Sequence, residues 1–385
     1  MRSSFAKPSP LLLLIIWLGI NLPAEAFSAL AHLAVVDSCW TRGLVPALQA
    51  RYPGATAAQL DEARSYAYGG ALLQDLGYFP GNASLFSDLT HYVRSGEFVE
   101  ALLADARDRN ELAFALGALS HYAADASGHP AGTNAVTGLV FPELPAAPGT
   151  ALTYAQAPAQ HTQVEFAFDV AELQAGHYRS EEFHARIGLR VCRALLERSF
   201  RRTYGLPLGR VLPHVPEGLA AFRLVATQLL PAAVRASQYV PQARVRQLPL
   251  AEQLAYYRRL NSARFCRAGR RADHLSLQMR LLVWLVPTLP RLGVARLLAF
   301  RPLPAAAVAT MRAGFATALG SYSALLGHVG EPLADLNLDT GQPSRPADYP
   351  LADRTAAAWA ARLAQARLPL PPPPLAATLA DGASQ

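Results

Sequence analysis

The chain has 385 residues, 51% of them hydrophobic and only 16% charged. That composition suits a helical globular protein with a sizeable core, in one large or two medium domains. The three cysteines, Cys39, Cys192 and Cys266, exclude a disulfide framework and leave room for one bridge at most. The net charge of +7 is diffuse and comes mostly from arginine in the second half. It leaves anionic lipid, nucleic acid and a plain arginine bias of the genome all open.

At the N-terminus, Arg2 and Lys7 precede the apolar run Leu11–Ile20, and Asn-Leu-Pro-Ala-Glu-Ala follows. This order predicts a secretory signal peptide over residues 1–26, cleaved after the Ala24-x-Ala26 site, and hence export to the periplasm or medium. The run is short for a membrane span; an uncleaved anchor is the weaker alternative. The mature chain would begin FSALAHLAVVDSCW, a short apolar helix with His32 one to two turns from Phe27. A free α-amino group has a pKa near ~8, so the amine and carbonyl of Phe27 can chelate a metal beside His32 near neutral pH. Taken alone, His32 reads first as an ordinary helix residue.

Ala57–Gln74 predicts a helix capped by Thr56, with Asp75 at its end before a Gly/Pro loop. Leu85–Phe98 carries His91 on a short helix, and Val99–Arg109 is amphipathic. From about Glu111 runs the segment on which the rest depends, LAFALGALSHYAADASGHP, with His121, Asp125 and His129 spaced four residues apart. Residues i and i+4 share a helix face, so His121 and Asp125 point at one spot. Gly128 and Pro130 predict that the helix frays there, letting His129 swing to the same place. Imidazoles and a carboxylate on an apolar helix need a partner, and zinc is the usual one. Residues 131–160 read as a long irregular loop over the site. His161 and Glu165 then make a second i, i+4 ligand pair.

After Ser180 the chain reads as successive helices, about 181–201, 216–238, 250–268, 272–285, 304–326 and 352–366, with no useful alternating β pattern. His177, His184, His214, His274 and His328 have no partner at ligand spacing and read as structural or surface residues. Residues 281–300 are apolar but interrupted by Pro287, Pro290, Arg291 and Arg296. They fit a core helix pair better than an interfacial helix meeting lipid headgroups. Residues 368–385, with four consecutive prolines, read as an extended or disordered tail.

Over roughly residues 27–169 the chain resembles the zinc-dependent phospholipase C family, whose all-α fold is shared by single-strand-specific zinc nucleases. HYAADASGHP resembles the family's His-x-x-x-Asp…His core, FSALAH the opening of the mature nucleases, and HTQVE the phospholipase-type His-x-x-x-Glu. Phe27 stands where the family has tryptophan, and the step from Asp125 to His129 is shorter than in its best-known members. The resemblance implies two to three zinc ions. Asp75, His91, His121 and Asp125 would hold one; Phe27, His32 and a bridging Asp125 the second; His129, His161 and Glu165 the third. In such a cluster Asp75 is the candidate general base or water positioner, and Tyr66, Tyr78 and Tyr92 near the ligands read either as packing around the site or as walls of a headgroup pocket.

The expected protein is therefore an exported all-α, zinc-dependent phosphodiesterase, most simply a phospholipase C. Residues 27–180 would form the catalytic region, and residues 181–367 would complete or extend it. A nuclease or phosphatase of the same fold, or a non-catalytic metal-binding surface protein, is the alternative. Its substrate would be a phospholipid or other phosphodiester, with peripheral membrane contact left open. The basic-aromatic stripe of a single-strand binder is missing, so no stable nucleic-acid partner is expected.

Overall fold

The computed structural model describes residues 29–79, 82–144, 151–175, 177, 189–224 and 301–372. The fold is all-α. The helices are α1 (Ala29–Cys39), α2 (Val45–Arg51), α3 (Ala57–Ala71), α4 (Ser84–Tyr92), α5 (Ser95–Asp105), α6 (Arg109–Gly128), α7 (Asn134–Val140) and α8 (Pro158–Ala175). They continue with α9 (Arg193–Tyr204), α10 (Val215–Leu224), α11 (Ala305–Gly327) and α12 (Pro350–Gln365). A two-stranded antiparallel hairpin, β1 (Leu336–Asn337) and β2 (Gln342–Pro343), lies between α11 and α12.

Helix α6 is the axis of the core. Asp108 caps it, its carboxylate accepting from the Asn110 and Glu111 amides at 2.8 Å. Every residue from Leu112 to Asp125 is buried, as expected of a helix that is apolar on all sides. Helix α3 starts with a capping box between Thr56 and Gln59. It crosses α6 at the reciprocal pair Gly70 and Gly117, where a Cβ on either would overlap a backbone carbonyl of the other helix, Phe114 and Ala67 respectively. This close crossing brings the Ala71 carbonyl to the His121 ring. On another side α11 packs against α6, and Tyr322 donates to the Leu116 carbonyl at 2.9 Å.

Phe86, Phe98, Phe200 and Tyr204 form one aromatic cluster that ties α4, α5 and α9 together. Burying one such side chain contributes roughly 1.5–3 kcal/mol. The Trp359 indole on α12 donates to the Tyr204 carbonyl at 2.8 Å, so the C-terminal helix closes over the same cluster.

Several boundaries differ from the sequence expectations. The stretch expected as Leu85–Phe98 breaks at Arg94, which takes a left-handed backbone (φ 55°) and pairs with Glu97. Asp75 lies on a separate 3-10 turn, Gln74–Tyr78, rather than ending α3. At His129 the chain does not fray. Pro130 lacks an amide hydrogen, and the helix widens into a π-turn, His129–Thr133, that runs into α7. Residues 134–140 are therefore helical, where a loop was expected. Residues 1–28, with the signal peptide and Phe27, lie outside the described residues. So do His184, His274, Cys266, the expected helices 250–268 and 272–285, the stretch 281–300 and most of the tail. Cys39 and Cys192 are free thiols. Among the described residues no helix is long and apolar enough to cross a membrane.

Candidate metal centre

Five elements deliver the candidate side chains to one buried place: α1 brings His32, the 3-10 turn Asp75, α4 His91, α6 with its π-turn His121, Asp125 and His129, and α8 His161 and Glu165. Each of these residues is buried.

Asp125 is the centre. Its Oδ1 lies 3.4 Å from His32 Nε2 and 3.5 Å from His129 Nε2. Its Oδ2 lies 3.0 Å from His121 Nε2 and 3.2 Å from His91 Nε2. Asp75 Oδ1 is 3.5 Å from His91 Nε2, and its Oδ2 is 4.0 Å from His32 Nε2. A few ångströms away His161 Nε2 meets Glu165 Oε1 at 2.8 Å, and His129 Nε2 meets the same oxygen at 3.4 Å.

The hydrogen bonds behind the rings decide which nitrogens face inward. His91 Nδ1 is 2.7 Å from the Ser87 carbonyl, and His121 Nδ1 is 2.8 Å from the Ala71 carbonyl. A carbonyl only accepts, so each Nδ1 carries the hydrogen and donates. The two Nε2 atoms, 3.2 Å apart, then aim lone pairs at each other and at carboxylate oxygens. Both Asp125 oxygens and Glu165 Oε1 are sealed from solvent with no hydrogen-bond donor aligned on them. Leaving such groups uncompensated costs about 1–3 kcal/mol each, and more when charged. Lone pairs converging in this way require a cation between them, and a His/carboxylate set of this size fits zinc.

Titration follows the same logic. Burial pulls the His121 imidazole down, but Asp125 and Asp75 outweigh it and hold it at about 9. Burial would raise Asp125, yet His121, His129 and His32 keep it well below the usual carboxylate range. Burial, followed by the charge of His121, lowers His32. Glu165 and Asp75 are both raised by burial.

Among the described residues, three groups have ligand atoms within 4.8 Å of one another: His32, His121 and Asp125; Asp75, His91 and His121; and His129, His161 and Asp339. Asp339 was not expected from sequence. It lies on the hairpin turn, with Oδ1 3.4 Å from His129 Nδ1. Burial would raise its carboxyl, but His129 and His161 hold it at about 2. An Asn-x-Asp-Thr-Gly run signals a turn, but nothing local says what the turn faces.

A cleft opens over the cluster, lined by Asp75, Asp125 and Glu165 and by Tyr78, Tyr92 and Tyr154. Tyr66 is not part of it; its ring lies under the Arg190 guanidinium at 5.6 Å. Tyr154, absent from the sequence expectations, instead meets His161 edge-on at 5.5 Å. His177, His214 and His328 are exposed and pair with the buried Glu172 and the exposed Glu217 and Glu331, respectively.

An all-α protein with a buried, multi-histidine, multi-carboxylate centre beneath an open cleft has the build of a metal-dependent protein. Residues 31–211 match the family model for zinc dependent phospholipase C, so this region of the chain is similar to that family. All the expected described ligands fall inside the match, whereas Asp339 falls outside it. No curated protein and no solved structure matches the chain.

Proposed function

We propose that the protein is an exported zinc-dependent phosphodiesterase acting as a phospholipase C. The observation that carries this reading is the convergence of Asp75, His91, His121 and Asp125, lone pairs inward, at the base of an open cleft. In this reading Asp75, His91, His121 and Asp125 hold one zinc ion. His32 and Asp125 hold a second with the amine and carbonyl of Phe27, and His129, His161 and Glu165 hold a third. Zinc supplies Lewis acidity, lowering the pKa of water towards neutrality and neutralising charge on phosphoryl oxygens.

The chain's own groups do the rest. Asp125 divides its two oxygens between neighbouring imidazoles and so sets the spacing of the centre. Asp75 lines the cleft, and burial keeps its carboxyl raised. It is therefore suited to orient the attacking water and to accept its proton at a carboxylate oxygen. Tyr78, Tyr92 and Tyr154 offer ring faces to a lipid glycerol or a cationic headgroup. Helices α1, α3 and α6 exclude bulk water from behind the cluster.

Zinc-loaded protein assayed on phosphatidylcholine vesicles and on single-stranded DNA tests the proposal. Release of phosphorylated headgroup is expected. Activity on DNA alone would replace the lipid reading with a nuclease, and activity on neither would leave a metal-binding surface protein.

A further inference from the structure

The family match ends at residue 211, yet the centre is completed by a segment more than a hundred residues further on. The β1–β2 hairpin docks on the ligand-bearing elements themselves. The Leu338 amide donates to the His91 carbonyl at 3.0 Å. The Asn134 side-chain amide donates to the Asp339 carbonyl at 2.7 Å. At Gly341 (φ 67°) the turn lies so close to α6 that a Cβ would overlap the Ala126 carbonyl, one residue from Asp125.

This docking presents Asp339 to His129. Oδ2 is doubly held, accepting from the Tyr154 amide at 2.8 Å and the Tyr349 hydroxyl at 2.7 Å. Oδ1 is left facing His129 Nδ1 at 3.4 Å. The geometry points to Asp339 as the positioning residue of the third ion's site. It keeps the hydrogen of His129 on Nδ1, so that Nε2 faces Glu165 Oε1 and Asp125 Oδ1, 3.4 and 3.5 Å away, as a ligand lone pair. His91 and His121 are fixed from behind by carbonyls, and His129 by a carboxylate from the far end of the chain. This assignment rests on the zinc reading above.

Asp339→Asn is a sharp test because its orientation is dictated. A backbone amide can only donate, so the Asn oxygen must take the place of Oδ2 under the Tyr154 amide. The Asn NH2 then faces His129 Nδ1, which must accept, and the ring proton moves to Nε2, where the ion belongs. Zinc content of the processed protein, beginning at Phe27, is followed by equilibrium dialysis over graded free zinc for wild type, D339N and Tyr349→Phe. Wild type is expected to take up three ions. D339N should weaken one of the three steps by about 10–100-fold and leave the other two unchanged. Tyr349→Phe keeps the carboxylate and should shift that same step by less than tenfold. A wild-type isotherm for D339N overturns the role of Asp339 alone. Parallel weakening of all three steps would make Asp339 a structural residue and also overturns it. Fewer than three ions in wild type overturns the third site itself, and with it this inference.

Discussion

His32 and His121 stack, their ring centroids 4.0 Å apart and their planes within 8° of parallel. They come from α1 and α6, and each presents Nε2 to a different oxygen of Asp125. Two stacked imidazoles cannot both carry charge cheaply in a buried site. Burial and its neighbour lower His32, while His121 is held up. In the proposed reading, the Asp125 carboxylate bridges two cations.

Asp125→Asn removes that bridge while keeping the volume. Zinc content should fall by at least one ion per chain, and phosphodiesterase activity by at least about 100-fold, because even outer partners of metal ligands cost 10–100-fold. Elemental analysis of the dialysed protein beside an activity assay checks both. Full zinc content would remove Asp125 from the centre.

Zinc affinity should depend on pH with a definite sign. His121 is raised to about 9 in the metal-free protein, so below that pH zinc must displace its proton. Affinity therefore rises as pH increases towards 9, and falls by roughly tenfold per unit below it for each proton released. Calorimetric titration in buffers of different ionisation enthalpy at pH 7 should report proton release.

The chain's start is expected to matter chemically. The Leu30 amide donates to the buried Asp169 carboxylate at 3.1 Å, which fixes the beginning of α1 beside the centre. A protein carrying an uncleaved N-terminal extension should lose one zinc and most activity if Phe27 supplies its amine. Full activity in the extended protein would refute that role.

Much of the centre was legible because helical spacing encodes a shared face. His121 with Asp125, and His161 with Glu165, follow from i, i+4 alone, and both pairs meet in the fold. Asp75, His91 and His32 carry no local spacing signal; the order of family motifs located them. Asp339 and Tyr154 were not legible. Each sits in a turn or loop whose sequence specifies its own backbone but not the distant ring it meets. The π-turn at His129 was missed for a related reason: Gly128 and Pro130 argue locally for a helix end, and packing against Gly314 of α11 carries the chain onward.

The crossing of α3 and α6 offers a test away from the chemistry. Gly117→Ala places a Cβ against the Ala67 backbone carbonyl, where no side chain can yield. It should destabilise the fold by about 1–3 kcal/mol. It should also weaken zinc binding, because the same crossing holds the Ala71 carbonyl on His121. Denaturant unfolding and zinc titration of the variant measure the two effects.

The most direct measurement is anomalous diffraction at the zinc edge from crystals of the zinc-loaded protein. The account predicts peaks on both sides of Asp125, about 2.0–2.2 Å from its two oxygens, and a third between His129, His161 and Glu165. Zinc-loaded crystals with no peak within coordination distance of Asp125 would contradict it.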